Sequence, residues 1–277
     1  MQSKKFTKED IKEIIEMHTS KNKISEISKK YKCYPQVIQN LLKKEIGYIP
    51  ERVKTKNIRY FQSIDSNLKA YFLGFIAADG AIVKNELTIS IHRKDIQILE
   101  KLKNELQSPN KIISLKKENT DMVRFSVGNK FLKMDLENIG ITERKTFTLQ
   151  DIIKNIPKNF RKSFILGYFD GDGSFTFKGR KGLMDIRGTQ SLLRGFSEEL
   201  EIPQKNIKQY DSTFCIRIWK QSEIKRVFEL LYFNQSFFLH RKYSKFKDYI
   251  KTIYGQEETI SSSEKDVRRS CQDYRFN

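Results

Sequence analysis

The sequence of 277 residues is poor in the residue types that define several large classes of protein. It has only 3 cysteines, at scattered positions: Cys33, Cys215 and Cys271. An odd and dispersed set excludes a disulfide framework and a zinc site built on cysteine pairs. Its 3 histidines are equally dispersed. The most apolar stretch, residues 70–83, is too short to span a bilayer and contains Asp79, which argues against a membrane protein.

The N-terminal residues lack the basic, apolar and small-residue pattern of a secretion signal. Together with the scattered cysteines, this leads us to expect a reduced, intracellular protein. The expected location is the cytoplasm or nucleoid of a bacterial or phage-infected host, or an organelle.

Acidic residues are scarce relative to basic ones. The chain has 53 Lys and Arg against 34 Asp and Glu, a net charge of +19 and a pI of about 9.7. Such a surplus of positive charge indicates a polyanionic partner, and nucleic acid is the first candidate.

Residues 1–47 predict three short helices. Thr7 and Asp10 resemble a capping box at the start of the first, and Pro35 suits the first turn of the third. Apolar residues recur at helical spacing in all three, and the break around Cys33 is tight. The segment resembles a helix-turn-helix DNA-binding module, with 11 Lys against 6 acidic residues. A small helical cap without a DNA role is the alternative.

The outward side of the third predicted helix carries the residues that we expect to contact DNA: Gln36, Gln39, Asn40 and Lys43. Amide side chains read adenine edges, and lysine meets phosphate. Residues 48–64 show little periodicity and predict a basic linker, and residues 255–277 predict a flexible tail.

The remaining residues contain an internal repeat, with boundaries that we place at 65–157 and 158–254. The segment FLGFIAADGAI at 72–82 recurs 93 positions later as ILGYFDGDGSF. A second pair, ERKTF at 143–147 and HRKYS at 240–244, follows in the same order. Between these motifs, alternating strand patterns and helical patterns succeed one another. We therefore predict an α+β fold of two pseudo-twofold αββαββα repeats.

Both copies of the first motif predict an apolar helix that ends in Asp-Gly. Small residues four apart, Gly74 with Ala78 and Gly167 with Gly171, would let two helices pack closely and bring Asp79 and Asp172 together. We also expect Gly80 and Gly173 to end the helices in the left-handed conformation.

Two carboxylates at two helix C-termini repel each other and the partial negative charge of the helix ends. A divalent cation is the simple compensation, and Mg²⁺ favours carboxylates, carbonyl groups, water and phosphate oxygens. This chemistry fits metal-assisted hydrolysis of a phosphodiester.

The paired motifs FLGFIAADG and ILGYFDGDG resemble those of the LAGLIDADG homing endonucleases in their single-chain, two-motif form. The resemblance covers about residues 65–250. It implies that Asp79 and Asp172 bind the metal, with the carbonyl groups of Ala78 and Gly171 as further ligands. Mg²⁺ or Mn²⁺ would support cleavage, and Ca²⁺ would be a non-productive substitute.

The resemblance further implies two sheets that form saddles on the major groove of double-stranded DNA, and cleavage of both strands. Lys145 and Lys242 resemble the family's basic residue beside each scissile phosphate. His92 and Gln190 are candidates for the polar residue that positions water. The sixth motif position is Ala77 in one copy and Asp170 in the other, so the two halves differ.

Polar residues that alternate with apolar ones on the predicted strands are the expected contacts to DNA. They are Thr88, Ser90, His92, Arg124 and Ser126 in the first repeat, and Lys178, Arg187 and Arg217 in the second. We expect a monomeric endonuclease with a long asymmetric target. A DNA-binding regulator without cleavage activity and a maturase that acts on intron RNA remain as alternatives.

Overall fold

A computed structural model of the chain describes residues 6–47, 55–117, 120–143, 145, 149, 152–210 and 212–255, with only the backbone at 116, 117 and 120. The chain divides into two compact units, residues 1–54 and 55–277. Residues 48–54 of the expected linker and 256–277 of the expected tail lie outside the described residues. Within the described part, no helix is long and apolar enough to cross a membrane.

The first unit consists of the three expected helices: α1 (Lys8–Thr19), α2 (Ile24–Lys30) and α3 (Pro35–Ile46). Its small core is formed by Ile14, Ile27, Tyr31, Ile38 and Leu42. Thr7 and Asp10 make the predicted capping box at the start of α1, and Gly47 ends α3 with a φ of 67°.

The second unit is an α+β fold. Its described helices are α4 (Asn67–Asp79), α5 (Ile96–Glu105), α6 (Lys130–Ile139), α7 (Arg161–Asp172), α8 (Gln190–Glu199), α9 (Gln221–Tyr232) and α10 (His240–Tyr254). Its strands are β1 (Gly80–Val83), β2 (Glu86–His92), β3 (Ile113–Lys117), β4 (Thr120–Gly128), β5 (Gly173–Lys178), β6 (Lys181–Gly188), β7 (Ile207–Tyr210) and β8 (Thr213–Ile218).

The strands form two antiparallel sheets of the same topology. The first has the order β1-β2-β4-β3 and the second the order β5-β6-β8-β7. Along the chain, each sheet begins directly after a motif helix, and one helix lies between the first two and the last two of its strands. The predicted pair of related repeats is therefore confirmed.

Alternation along the strands separates a buried face from a polar face. In β2, Leu87, Ile89 and Ile91 are buried, whereas Thr88 and Ser90 on the opposite face are half-buried. The buried faces of both sheets and the helices share one hydrophobic core. The polar faces are left to solvent, as the period of two in the sequence predicts.

The two motif helices α4 and α7 are apolar on all sides because they are enclosed by protein. They pack backbone against backbone: a Cβ atom added to Gly74 would lie 1.9 Å from the carbonyl oxygen of Phe164. A Cβ atom on Gly167 would lie 1.9 Å from the carbonyl oxygen of Tyr71. The two glycines therefore permit an approach that any side chain would block, as the small-residue spacing predicts.

The prediction of left-handed helix ends at Gly80 and Gly173 is wrong. Gly80 has φ −75° and Gly173 has φ −84°, both in extended backbone that any residue adopts. Glycine is needed at both positions because there is no room for a side chain. A Cβ atom on Gly80 would lie 2.6 Å from the carbonyl oxygen of Ile76, and one on Gly173 would lie 2.1 Å from the Phe169 ring.

The prediction of a linker up to residue 64 is also wrong. Residues 55–64 belong to the second unit, where Tyr60, Phe61 and Ile64 are buried in its core. The side chain of Arg59 makes an ion pair of 3.0 Å with the buried carboxylate of Asp135. The segment lacks periodicity because isolated side chains, rather than a helix or strand face, anchor it.

Candidate active site at the paired helix ends

The two motif aspartates are the last residues of neighbouring helices, Asp79 of α4 and Asp172 of α7. A Cβ atom on Gly171 would lie 2.4 Å from Cβ of Ala78 and 3.2 Å from Oδ2 of Asp79, so the two helix ends touch. Asp79 is half-buried and Asp172 exposed. The carboxylates are thus surrounded by protein yet reachable from solvent.

The electrostatic environment disfavours two ionised carboxylates. Burial and the neighbouring Asp172 raise the pKa of Asp79 to about 6, against the opposing effect of Lys145 and Lys242. Burial also raises the pKa of Asp172, which the ammonium groups of Lys145 and Lys242 counteract. A further positive charge between the two carboxylates would stabilise their ionised form.

The ammonium group of Lys145 lies against the C-terminal end of α4. Its ammonium group donates hydrogen bonds to the carbonyl oxygens of Ala77, at 2.6 Å, and of Ala78. These carbonyl groups carry the partial negative charge of the helix end. Burial lowers the pKa of Lys145, and the carboxylates of Asp172 and Asp79 oppose that shift. An ammonium has three N–H donors, and acceptors among the described residues take up two of those of Lys145.

Lys242 holds the equivalent place at the C-terminus of α7 but is buried. It donates hydrogen bonds to the carbonyl oxygens of Phe169 at 2.5 Å, Asp170 at 2.8 Å and Gly173 at 2.6 Å. Burial lowers its pKa to about 8. All three donors are used, so in this arrangement Lys242 has none left for the scissile phosphate that the resemblance assigned to it.

Tyr168 is a site residue that the sequence reasoning missed. It lies one turn before Asp172, and its hydroxyl donates a hydrogen bond of 3.0 Å to the carbonyl oxygen of Arg187. The same hydroxyl lowers the pKa of Asp172, against the larger effect of burial. Phe75 occupies the matching motif position in α4. The sequence signal that could have identified Tyr168 is that the two motif copies differ here, with Phe75 in one and Tyr168 in the other.

Asp170, the sixth residue of the second motif, is buried. Its Oδ2 accepts hydrogen bonds of 2.8 Å from the Tyr71 hydroxyl and 2.8 Å from the backbone N–H of Leu239. Burial raises the pKa of Asp170 to about 6. In the other half, Ala77 replaces the acid and Phe164 replaces the tyrosine. The two repeats therefore differ at these positions: one combination has the tyrosine and the acid, and the other has phenylalanine and alanine.

A pocket beside the helix ends lies between Asp172 and the end of β6 in the second sheet. Asp172, Lys145 and Tyr168 line it, together with Arg187 and Thr189 at the end of β6. Gln190 begins α8 directly after this segment. His92 instead accepts a hydrogen bond of 3.2 Å from the backbone N–H of Lys94, which orders the turn that follows β2.

The polar strand residues lie on the solvent faces of the sheets, as expected. On the first sheet, Thr88 hydrogen-bonds Ser126 at 2.9 Å, and Nε of Arg124 donates to Ser90 at 3.0 Å. On the second sheet, Arg217 donates to Asp185 at 2.7 Å, and Lys178 is exposed at the end of β5.

On the first unit, the expected contact residues form a surface of α3. Gln36, Asn40 and Lys43 are exposed and Gln39 is half-buried. Nε2 of Gln36 donates a hydrogen bond of 2.9 Å to Oδ1 of Asn40. This bond leaves an amide oxygen and an amide N–H pair side by side on one helix face.

The oxygen donors at the helix ends fit a hard divalent cation. Among the described residues no cluster of three or more His, Cys, Asp or Glu side chains could hold a metal. Asp79 is half-buried and Asp172 exposed, and two accessible carboxylates suit an ion that keeps water and phosphate ligands. The carbonyl groups of Ala78 and Gly171 remain predicted ligands, and that of Ala78 already accepts a hydrogen bond from Lys145.

Comparison with known proteins identifies the fold. No protein-family model matches the chain, and no curated protein matches its sequence. Among solved structures, the chain is similar to the homing endonuclease I-WcaI bound to its DNA recognition sequence, with a TM-score of 0.50 and 15% identity over 74% of this chain and 96% of that one. The LAGLIDADG meganuclease I-CpaMI bound to uncleaved DNA has a TM-score of 0.49 and 13% identity over 73% and 97%. Meganuclease I-SmaMI bound to uncleavable DNA has a TM-score of 0.49 and 13% identity over 75% of this chain and 99% of that one.

The similarity to I-WcaI establishes the architecture. The chain has the single-chain, two-repeat fold of the LAGLIDADG homing endonucleases, which confirms the resemblance that its paired motifs indicated.

Proposed function

We propose that this protein is a site-specific endonuclease that cuts double-stranded DNA. One observation carries the proposal: two carboxylates, from two helices packed through glycine, lie side by side, open to solvent, with raised pKa values. A purely structural Asp-Gly turn gives no reason to bring two such groups together. The neighbours of the same fold are DNA endonucleases, which supports the substrate class.

Asp79 and Asp172 would hold Mg²⁺ or Mn²⁺, and the carbonyl groups of Ala78 and Gly171 would complete the protein's share of the ligands. A bound divalent ion supplies activation of water and stabilisation of the leaving oxygen. The chain's own contribution is to hold the two carboxylates close together and in place, so that a bound cation would offset the repulsion and burial that raise their pKa values. The hydroxyl of Tyr168 favours the ionised form of Asp172.

The two lysines have different parts in this proposal. Among the described residues Lys145 has two acceptors, the carbonyl groups of Ala77 and Ala78, and its third N–H donor would stabilise charge on a reacting phosphate. Lys242 acts as a positioning residue, because its three hydrogen bonds fix the end of α7 and thereby Asp172.

The DNA would lie across the polar faces of the two sheets, where Thr88, Ser90, His92, Arg124, Ser126, Lys178, Arg187 and Arg217 are placed. The net charge of +19 supports a phosphate-rich partner and predicts binding that weakens steeply with salt. Because the two repeats already form the paired site within one chain, a monomer with an asymmetric target is proposed.

The first unit would add a second contact to DNA. The oxygen of Gln36 and the N–H group of Asn40 match the donor and acceptor on the major-groove edge of adenine. Lys43, on the same helix, suits a phosphate. Gln39 is a further contact of this surface.

The test is incubation of the purified chain with plasmids that carry the DNA flanking its gene, with Mg²⁺, with Ca²⁺ and with EDTA. Cleavage at one site with Mg²⁺, and binding without cleavage in Ca²⁺, is the expected result. Asp79→Asn and Asp172→Asn should abolish double-strand cutting and keep binding. Asp121→Asn is the matched control, since Asp121 is an exposed carboxylate paired with Arg93.

Two other results would redirect the proposal. Specific DNA binding with no cleavage under any of these conditions would identify a regulator instead. Stimulation of intron splicing without DNA cleavage would identify an RNA maturase. An intracellular site of action, in the cytoplasm, nucleoid or an organelle, belongs to the same proposal.

A further inference from the structure

The polar face of the second sheet contains a buried carboxylate between two arginines. Asp185 of β6 is only 7% exposed. Its Oδ2 accepts a hydrogen bond of 2.7 Å from Nε of Arg217, and its Oδ1 lies 3.7 Å from Nε of Arg187. The carboxylate therefore meets the Nε edge of both guanidinium groups. The terminal amino groups of Arg217 have no hydrogen-bond partner among the described residues.

An aromatic ring fixes the same two guanidinium groups from the side. Tyr210 of β7 is 46% exposed, and its ring centroid lies 4.9 Å from the guanidinium carbon of Arg217 and 5.4 Å from that of Arg187. A guanidinium that is stacked on a ring and tied at Nε has few orientations left. The side chain of Arg217 is 27% exposed, and its two terminal amino groups are then held as a fork of fixed orientation.

The equivalent place on the first sheet carries different chemistry. Gly80 pairs with Ile89 and Gly173 with Ile186, which aligns Thr88 with Asp185. On the neighbouring strand, Thr88 pairs with Ser126 and Asp185 pairs with Arg217. Ser126 therefore occupies the position equivalent to Arg217. Thr88 and Ser126 simply hydrogen-bond each other. The arginine fork thus has no counterpart at the equivalent position of the first sheet.

A phosphate contact would not need this construction. Lysine or a mobile arginine serves a phosphate, whereas a fixed bidentate fork matches the O6 and N7 acceptors of guanine in the major groove. Arg217 also lies one strand away from β6, whose end lines the pocket that contains Asp172. It therefore belongs to the surface beyond the scissile position.

We propose that Arg217, held by Asp185 and Tyr210, reads a guanine in the half-site that faces the second sheet, with no counterpart at the equivalent position of the other half-site. This inference rests on the proposed function, because it assumes that the polar faces of the sheets contact the target.

The test is selection of bound duplexes from a random-sequence DNA library in Ca²⁺, with the full chain and its variants. The wild-type chain should enrich an asymmetric site with a required guanine in one half. Arg217→Lys keeps the charge but loses the fork. It should reduce the preference for that guanine about tenfold or more and keep most of the total affinity. Arg194→Lys, an exposed arginine of α8, is the matched control and should leave the profile unchanged.

Two positioning variants separate a reading role from a structural one. Tyr210→Phe keeps the ring and should keep the guanine preference, whereas Tyr210→Leu should lower it. Asp185→Asn should relax the preference at the same base pair and at no other. Thermal unfolding of each variant identifies any that fails to fold. If Asp185→Asn or Tyr210→Leu fails to fold, Arg217→Lys and Tyr210→Phe are enough to decide whether Arg217 reads the guanine.

The outcomes distinguish the two proposals. If the wild type enriches and cuts a site but Arg217→Lys has the same base profile, the guanine inference is overturned and the endonuclease proposal stands. An equal loss of affinity for every sequence would identify a phosphate contact and overturn it as well. If the wild type enriches no duplex, the proposed function fails, and this inference fails with it.

Discussion

The carboxylate of Asp79 is a group whose ionised form the folded chain disfavours. Its pKa of about 6 lies above the ordinary value of 3.8 because of burial and the nearby Asp172. An acid with a raised folded-state pKa contributes stability below its unfolded pKa, and this contribution is lost as the pH rises through about 6. Above that pH the ionised carboxylate destabilises the fold, unless a cation binds.

Asp79→Asn should therefore stabilise the metal-free protein while it abolishes cleavage. At pH 8 in EDTA the free energy of unfolding should rise by about 1–3 kcal/mol, and the gain should shrink as the pH falls towards 4. Denaturant unfolding at both pH values measures it. Added Ca²⁺ should stabilise the wild type and not the variant. A variant less stable than the wild type at pH 8 would contradict the electrostatic account.

Single residues of the site were predictable from sequence where a repeat marked them. Asp79, Asp172 and Lys145 stand at matched positions of two motif copies, and the structure brings them together. The hydrogen bonds of Lys242 were not predictable, because burial of a lysine depends on which carbonyl groups the helix end leaves within reach. Tyr168 was overlooked because an aromatic residue in an apolar helix is ordinarily part of the core.

At the level of elements, the contact between α4 and α7 depends on the absence of two side chains. Gly74→Ala would force a Cβ atom to within 1.9 Å of a carbonyl oxygen in a helix that the core holds on every side. The helices would have to separate, which also separates Asp79 from Asp172.

We expect Gly74→Ala and Gly167→Ala each to lower the free energy of unfolding by about 3 kcal/mol or more. Gly128→Ala is the control, since its nearest neighbour, the Asn85 carbonyl oxygen, lies 4.0 Å away. That change should alter stability by less than about 1 kcal/mol. Chemical unfolding of the three variants compares them, and equal effects would refute the close-packing account.

The hydrogen bond between Tyr71 and Asp170 joins the same two helices with a polar contact. Tyr71→Phe or Asp170→Ala alone leaves a buried partner without its hydrogen bond, which costs about 1–3 kcal/mol. The double variant has the Phe and Ala pair that the other half already uses. It should be more stable than the sum of the single effects by about 1–2 kcal/mol, as measured in a double-mutant cycle. Strict additivity would contradict a direct interaction.

The elements that were predicted well are those with a clear period. The strands of both sheets follow from alternation at Leu87, Ile89 and Ile91 and at the matching positions of the other strands. Residues 55–64 escaped prediction because their anchors are single contacts, such as Arg59 with Asp135. The conformation of Gly80 was misjudged because a tight approach to α4 and a left-handed turn both favour glycine.

For the whole molecule, positive charge and a separate helical unit predict two sources of affinity for DNA. A single lysine that meets phosphate lowers the salt dependence of binding when it is removed, whereas a solvated lysine does not.

Lys43→Ala should weaken binding to the selected target and reduce the slope of log affinity against log salt by about one unit. Lys12→Ala is matched in charge and is an exposed residue of α1. It should leave the slope unchanged. Fluorescence anisotropy over a salt series measures both. The rate of cleavage at saturating protein should be the same for all three proteins, and a slower rate for Lys43→Ala would place this unit in the chemistry itself.

Tyr71 is hydrogen-bonded to Asp170, and the matching positions of the other half are Phe164 and Ala77, which limits how the gene can be rearranged. Two copies of the first repeat would bury a tyrosine hydroxyl against alanine, and two copies of the second would bury an acid against phenylalanine. Each repeat has therefore become a specialised partner for the other. A symmetric version of the chain would need both positions of a pair changed together, so the shared interior of the two repeats itself requires their sequences to differ.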